Sequence, residues 1–380
     1  MAISIVDMPA LRAHRAEGHD LAGAILVGLD LTAAADDRLL RTRLDGALLL
    51  GCQLTPATRT RADAAGALLF PDIPDLPYHV YRSRLYTPDE LFAGFAADRP
   101  ESYADTLDAR VYRHVRECGT HPAPLPALAQ RLHDHSITEA LGEVLARSPY
   151  PVAVMGGHDL ARDSAGYANA VALGRALGAS PTGFTVLTGG GPGAMEAVPL
   201  GVRLTEAGEP EVRSVLRALG TAPRFGTGSS TVDSSAIGRW LAAALELELP
   251  TFPVPRTIGI PTWFYGHEPP NPSCELHAKY FANSVREDGL LSVATAGVIY
   301  TPGSAGTVQE VFQDYTKNHY GSLGPAAPMV FLGKDFWVNE VPAAPLVQQL
   351  ARGRASERWL LVTDDIAEAI ALLDDYAAQS

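Results

Sequence analysis

The chain has few cysteines and little positive charge. Its 380 residues include three cysteines, Cys52, Cys118 and Cys274, which are far apart and form no C-x-x-C motif. This spacing excludes a disulfide framework and a cysteine-rich zinc site, and we expect no metal in the protein. The net charge is −13 at pH 7, and no run of Lys or Arg exceeds two residues. We therefore expect no nucleic-acid partner, because nucleic acid requires a basic surface.

Long apolar runs are also absent. No window approaches 18 uncharged apolar residues, so we expect no membrane partner and no membrane span. Residues 1–11 lack a basic segment followed by an apolar core, which is the pattern of a signal peptide. These observations predict a cytoplasmic protein. The hydrophobic share of 47% and the charged share of 19% fit a globular chain, and the length favours two domains.

The first part of the chain contains two similar segments, Leu21–Leu31 and Leu44–Leu54, with small or acidic residues between leucines. One interpretation is a right-handed β-helix repeat of about five residues, but two copies are too few to stack a core. The other interpretation, which we favour, is two buried strands of a small α/β unit. Ala67–Phe70 is a third candidate strand. We therefore predict an N-terminal α/β accessory domain over residues 1–140.

From about residue 141 onward, apolar strand candidates alternate with helical patterns. This alternation predicts a Rossmann-like parallel sheet with helices on both faces, over residues 141–380. Segments 205–255 and 262–285 interrupt the alternation, and we expect these insertions to act as lids or specificity elements. In such sheets, ligands bind at the carboxyl ends of the strands. The strand candidates are 152–155, 184–188, 257–260, 297–300, 329–332 and 360–362.

One stretch, Thr301–Glu310, combines a turn of small residues with an acid. It follows the apolar run 297–300 and precedes a helical pattern over Val308–Tyr315. A strand, a small-residue turn and a helix together present backbone N–H groups at a helix N-terminus, where an anion is favoured. Glu310 lies one turn into that helix. Taken alone, it is better explained as an exposed acid that the helix dipole favours.

A second glycine-rich turn, Gly189–Ala194, matches the dinucleotide fingerprint G-x-G-x-x-A, and Glu209 follows it twenty residues later. This match supports an NAD(P)-dependent oxidoreductase as one alternative. However, the turn follows the second strand of the predicted sheet, and Glu209 falls in a predicted turn instead of at a strand end. The chain has no P-loop motif. A third glycine turn, Gly156-Gly157-His158, is also explained as a tight strand-to-helix connection.

Two of these turns together resemble the signatures of the Lonely Guy (LOG) family. Residues 188–197 follow T-G-G-G-P-G-x-M-E-A throughout, and residues 302–310 follow P-G-G-x-G-T-x-x-E except that Ser304 replaces the second glycine. A serine fits there if its φ is below zero. The resemblance covers about residues 145–375. It implies a Rossmann-like nucleoside 5′-monophosphate phosphoribohydrolase, similar to the long bacterial form that carries extra N-terminal sequence.

The resemblance also implies roles for individual residues. Glu310 would be the catalytic carboxylate, and Arg286, sixteen residues before Pro302, would be the catalytic arginine. For Arg286, a surface ion pair with Glu287 or Asp288 is the alternative. The implied phosphate-binding residues are Gly303, Ser304, Ala305, Gly306 and Thr307. The candidate nucleotide-binding residues are Gly156, Gly157, His158, Gly189, Gly190, Gly191, Met195, Glu196 and Asn283.

The expected reaction is hydrolysis of the N-glycosidic bond of an AMP-like purine nucleotide to free base and ribose 5-phosphate. A carboxylate suits it because the transition state carries positive charge at C1′. The resemblance implies no cofactor and a homo-oligomer. Three alternatives remain open: a non-catalytic nucleotide-binding or sensing protein on the same fold, the NAD(P)-dependent oxidoreductase, and the same hydrolysis on a pyrimidine or modified base.

Overall fold

The structure is a computed structural model that describes residues 3–148, 150–226, 232–322 and 324–379. The chain folds into two compact units. The first comprises Met1–Arg84 and Cys118–Ala140, and the second comprises Leu85–Glu117 and Leu141–Ser380. Residues 85–117 thus group with the second unit, although the sequence suggested one continuous accessory domain over residues 1–140.

The elements before residue 149 are short strands and helices of mixed length. The strands are β1 (Ser4–Ile5), β2 (Ile25–Val27), β3 (Leu48–Leu50) and β4 (Leu68–Phe70). The helices are α1 (Met8–Ala16), α2 (Ala34–Asp37), α3 (Pro56–Ala64), α4 (Pro88–Leu91), α5 (Leu107–Cys118) and α6 (Pro124–Leu145).

The first unit contains a four-stranded parallel sheet in the order β1-β2-β3-β4. The segments that resemble each other supply β2 and β3, in which Leu26 is the register partner of Leu49 and both are buried. Helix α3 begins at Pro56, where the Thr55 side chain accepts the N–H of Thr58, as expected for a Thr cap followed by Pro. The expected α/β unit is therefore confirmed.

The elements after residue 149 alternate more regularly. The strands are β5 (Pro151–Met155), β6 (Thr185–Thr188), β7 (Thr257–Gly259), β8 (Leu276–His277), β9 (Val298–Tyr300), β10 (Met329–Leu332) and β11 (Leu360–Thr363). The helices are α7 (Ala165–Ala179), α8 (Ala194–Arg203), α9 (Glu209–Leu219), α10 (Ser234–Leu245), α11 (Asn283–Val293), α12 (Ala305–Tyr320), α13 (Ala343–Ala351) and α14 (Ile366–Ala377).

The second unit is built on a seven-stranded parallel sheet in the order β11-β10-β9-β5-β6-β7-β8. Strands β5, β6 and β9 are buried along their whole length, which is expected for a parallel sheet flanked by helices. The second unit is thus an α/β structure of the Rossmann-like kind. No helix in the described residues is long and apolar enough to cross a membrane.

The two predicted insertions each contain some regular structure. Segment 205–255 contains α9 and α10, and its residues 227–231 lie outside the described residues. Segment 262–285 contains the edge strand β8. Glu209 is the first residue of α9 and pairs with Arg175, so the prediction of a turn at Glu209 is wrong. As predicted, Glu209 does not lie at a strand end.

Candidate functional site

Three glycine turns meet at one edge of the large sheet. They follow β9, β5 and β6, which are adjacent parallel strands, so all three lie at carboxyl ends. Gly157 N–H donates to the Pro302 carbonyl over 3.3 Å, and Ala194 N–H donates to the Gly157 carbonyl over 3.1 Å. A Cβ on Gly156 would clash with Thr301 Oγ1. The structure therefore brings the three predicted turns into direct contact.

The turn after β6 is held in a conformation that favours glycine. Gly190 has φ 74° and Gly193 has φ 72°, in the left-handed region that other residues rarely adopt. Asn271 fixes this turn from the loop after β7. Its N–H donates to the Gly190 carbonyl over 2.8 Å, and its side-chain Nδ2 donates to the carbonyls of Gly191 and Met195, each over 3.0 Å.

Gly189 is the first residue of this turn, and Met195 directly follows its last residue. Thr188 Oγ1 donates to the Met195 carbonyl over 3.0 Å, and the Met195 side chain is half-buried. A Cβ on Gly189 would clash with the Arg286 guanidinium. The absence of a side chain at Gly189 therefore lets the Arg286 guanidinium pack directly against the backbone of the turn.

Helix α12 begins three residues earlier than the pattern over Val308–Tyr315 predicts. Its first turn contains Ala305, Gly306 and Thr307, whose N–H groups lack intrahelical partners because of their position. Ser304 is the N-cap residue with φ −110°, so serine occupies this position without strain. The expectation of φ below zero at the one departure from the family pattern is confirmed.

Gly303 lies directly above the first turn of α12. A Cβ on Gly303 would clash with the Thr307 side chain, which is itself buried. The backbone of Gly303 and the N–H groups of the first turn together present donors at a helix N-terminus, which is the kind of group that binds phosphate or carboxylate.

Glu310 and Arg286 come together although 24 positions separate them in the sequence. Arg286 Nη1 lies 3.8 Å from Glu310 Oε1, and the two side chains are only 11% and 15% exposed. Arg286 Nε donates to the Ile260 carbonyl over 2.7 Å, and Nη2 reaches the Gly189 carbonyl at 3.4 Å. The arginine is therefore held at the site and is not part of a surface ion pair with Glu287 or Asp288.

Burial raises the pKa of the Glu310 carboxyl to about 7, against the lowering effect of Arg286 and with a further raising contribution from Glu287. A carboxyl group with a pKa near 7 exchanges protons readily at neutral pH, which suits acid–base chemistry. Glu310 is therefore not the exposed helix-dipole acid that the sequence left as an alternative.

The strand and helix that hold Glu310 are tied together by a second acid on α12. Tyr300, the last residue of β9, donates its hydroxyl hydrogen to Asp314 Oδ2 over 2.8 Å. Trp337 Nε1 donates to the Tyr300 carbonyl over 3.1 Å. Asp314 is one helical turn beyond Glu310, so this network fixes the face of α12 that carries the candidate catalytic carboxylate.

Asn283 lies at the start of α11, one turn before Arg286. Its Nδ2 donates to Glu287 Oε1 over 2.7 Å, whereas its Oδ1 is buried and has no hydrogen-bond partner. A buried acceptor without a partner is costly, and a ligand hydroxyl or amino group would satisfy it. The structure thus places Asn283 one helical turn before the arginine, with a free buried acceptor.

Glu196, one of the predicted nucleotide-binding residues, is completely buried. Arg162 binds its carboxylate with two nitrogens, Nε at 2.9 Å and Nη2, and also donates to the Trp240 carbonyl. The guanidinium lies 4.1 Å from the Trp240 ring centre. Because the carboxylate is completely buried and paired with Arg162, Glu196 anchors α8 and is not accessible to a ligand.

His158 lies at the third glycine turn with its side chain half-exposed. Its Nε2 is 3.9 Å from Glu268 Oε1, and His267 Nε2 is at the same distance from that oxygen. Sequence reasoning missed Glu268 and Asn271, which belong to the stretch Glu268-Pro-Pro-Asn-Pro272. The prolines around an asparagine were the available signal, since they mark a fixed loop.

Two cavities are relevant to the location of the site. One, of about 420 Å³, is lined by His158, Pro192, Gly193, Phe225 and Trp240, among others. A larger one, of about 640 Å³, is lined by residues near the opposite, amino ends of the strands, including Tyr150 and Ala296. Because parallel sheets bind ligands at carboxyl ends, we assign the site to the edge with the glycine turns.

The described residues contain no group of three or more His, Cys, Asp or Glu side chains that could hold a metal ion. A scan against protein-family models found no match, and a search among curated proteins found no significant one. The assignment of function therefore rests on the motifs and on the geometry of this site.

Proposed function

We propose that the protein hydrolyses the N-glycosidic bond of a nucleoside 5′-monophosphate, with an AMP-like purine nucleotide as the favoured substrate. The observation that carries this proposal is the pairing of Arg286 with Glu310 next to the first turn of α12. A helix N-terminus with free N–H donors and a carboxylate with a pKa of about 7 occupy the same helix end. This combination suits a phosphorylated substrate that develops positive charge.

In this proposal the 5′-phosphate binds the N–H groups of residues 303–307, which directs C1′ of the ribose toward Glu310. The C1′–N bond breaks and its electron pair leaves with the base. The Glu310 carboxylate stabilises the positive charge at C1′ and accepts a proton from the attacking water. The oxygen of that water bonds to C1′, which gives ribose 5-phosphate. The departing base takes up one proton, which balances the proton that the water loses. Arg286 binds the phosphate or polarises the base.

The proposal also includes a homo-oligomer. Its support is an exposed apolar surface formed by Leu346 and Leu350, which are one turn apart on α13, together with Val338. Equilibrium sedimentation of the full chain tests this part. A mass equal to a single chain at micromolar concentration would reject it without affecting the proposed reaction.

The reaction is tested by incubating the protein with a panel of purine and pyrimidine 5′-monophosphates and following base release by chromatography. We expect release from at least one purine monophosphate. Binding of a monophosphate without any release would favour the non-catalytic nucleotide-binding alternative. NAD(P) that co-purifies with the protein, detected by mass spectrometry, would favour the oxidoreductase.

A further inference from the structure

A second carboxylate, Glu268, lies at the same edge of the sheet, in the loop after β7. Its side chain is 22% exposed, and its Oε1 is 3.9 Å from Nε2 of both His158 and His267. The loop is fixed here, because Glu268 N–H donates to the Tyr265 carbonyl over 2.9 Å. Both histidine contacts are longer than a hydrogen bond. Within the described residues, the carboxylate therefore keeps acceptor capacity for a ligand.

The glycine turn after β6 connects this carboxylate with the candidate catalytic pair. The Gly189 end of the turn lies against Arg286. At the Gly191 end, an added Cβ would be 3.6 Å from Glu268 Oε2 and 2.9 Å from Met195 Cε. Two residues of backbone span at most about 7 Å. Arg286 and Glu268 therefore lie against opposite ends of the same short turn.

A cavity adjoins the Glu268 cluster. His158 lines the space of about 420 Å³ together with Pro192, Gly193 and the aromatic residues Phe225 and Trp240. A small-molecule site typically has this size and combines apolar walls with a few polar groups that fix orientation. His158, which lies 3.9 Å from Glu268 Oε1, is the member of the cluster that lines this cavity.

The chemistry of the cluster defines which base edge it fits. An ionised carboxylate only accepts hydrogen bonds, whereas an imidazole nitrogen can donate one. An adenine edge presents an amino donor next to a ring-nitrogen acceptor. We propose that Glu268 recognises the exocyclic amino group of the base and that His158 or His267 donates to the adjacent ring nitrogen. Glu268 is then the residue that selects amino-purine nucleotides. This inference rests on the proposed nucleotide substrate.

The test compares AMP with purine riboside 5′-monophosphate, which lacks only the amino group, by isothermal titration calorimetry. Every protein titrated, including the one that is wild type at position 268, also carries Glu310→Gln, so that the nucleotide is bound and not cleaved. We expect wild-type protein to bind AMP at least 10-fold more tightly, because hydrogen bonds to charged groups are strong. Glu268→Leu should reduce AMP affinity to that of the analogue and change analogue affinity less than 3-fold. Glu268→Gln keeps a carbonyl acceptor and should retain part of the preference.

The matched control is Glu211→Leu, which removes an exposed carboxylate from α9 and should leave the preference unchanged. Equal affinity of the wild type for both ligands, a failure to bind either, or a preference that persists in both Glu268 variants would overturn the inference. Because this test measures binding and not cleavage, a failure of the base-recognition inference can be told apart from a failure of the proposed hydrolysis. A Glu268-dependent preference without base release would reject the hydrolase while keeping this base-recognition role.

Discussion

At the scale of single residues, the site depends on the environment of Glu310. An exposed glutamate ionises near pH 4.5, whereas burial raises the pKa of Glu310 to about 7 even though Arg286 lies 3.8 Å away. Desolvation therefore outweighs the attraction of the guanidinium. Two measurable consequences follow, one for the pH dependence of activity and one for stability.

We expect the kcat/KM of nucleotide hydrolysis to rise with pH through about 7 and then level off. The carboxylate is the active form in the proposed reaction, and kcat/KM reports the pKa of the free enzyme. The measurement is base release from dilute nucleotide between pH 5 and 9. The substrate phosphate ionises near pH 6, and the step that it causes in the pH profile should remain in Glu310→Gln. The step near pH 7, which belongs to Glu310, should disappear in that variant. Activity that falls through pH 7 would contradict the assigned role.

Glu310→Gln should stabilise the protein above pH 7. A glutamate whose pKa is raised on folding binds more protons in the folded state between pH 4.5 and 7, so the free energy of unfolding falls over that range. The variant avoids this loss and should gain about 1–3 kcal/mol above pH 7, with little gain below pH 4.5.

Tryptophan fluorescence during urea unfolding measures this change in stability, because it reports on the second compact unit of the chain. All four tryptophans, Trp240, Trp263, Trp337 and Trp359, belong to the second unit, which also contains Glu310. Equal stability of variant and wild type at pH 8 would show that Glu310 is not desolvated as described.

At the scale of elements, strand–turn–helix junctions build the site. Strands β5, β6 and β9 were predictable because each is a short, mainly apolar run followed within three residues by a glycine-containing turn. Strands β1 and β8 contain two residues each, too few for a periodic pattern. The early start of α12 was missed because its first turn, residues 305–307, is composed of small residues that also suit a loop.

Gly303→Ala tests the junction between β9 and α12. The added Cβ would clash with the buried Thr307 side chain and displace the first turn of the helix. We expect affinity for ribose 5-phosphate to fall at least 10-fold, measured by calorimetry. The control is Gly142→Ala on α6, where no atom lies within 4 Å of the new Cβ. An unchanged affinity in Gly303→Ala would argue against phosphate at this turn.

At the scale of the whole molecule, the pairing of distant residues limits what the sequence reveals. Asp108 and Lys279 form a completely buried ion pair, and Trp263 Nε1 donates to Asp108 Oδ1 over 3.0 Å. A lysine is rarely fully buried, so no local pattern predicts its partner 171 positions away. The sequence motifs nevertheless indicated Arg286 and Glu310, whose contact the structure shows. The roles of Glu268 and Asn271 needed the fold.

The Asp108–Lys279 pair predicts how the chain tolerates truncation. A chain of residues 141–380 lacks Asp108 and also Tyr103, which packs in one cluster with Trp240. Lys279 would lose its ion-pair partner, and Trp240 and Trp263 would lose part of their cover. We therefore expect the shorter chain to be about 3–5 kcal/mol less stable than residues 85–380.

Urea unfolding monitored by tryptophan fluorescence compares the two chains. The shorter chain should unfold at lower urea and show red-shifted emission, because Trp240 and Trp263 lose cover. Equal unfolding midpoints would instead support a boundary at residue 140 and contradict the grouping of residues 85–117 with the second unit.

The central claim is that Glu310 supports cleavage of a nucleotide at C1′. The most direct measurement is simultaneous quantification of free base and ribose 5-phosphate from a purine 5′-monophosphate, with wild type and Glu310→Gln at pH 8. We predict equimolar products from the wild type and a kcat at least about 100-fold lower in the variant, with nucleotide affinity within a few-fold of the wild type. No base release by the wild type, or equal kcat values for the two proteins, would contradict the claim.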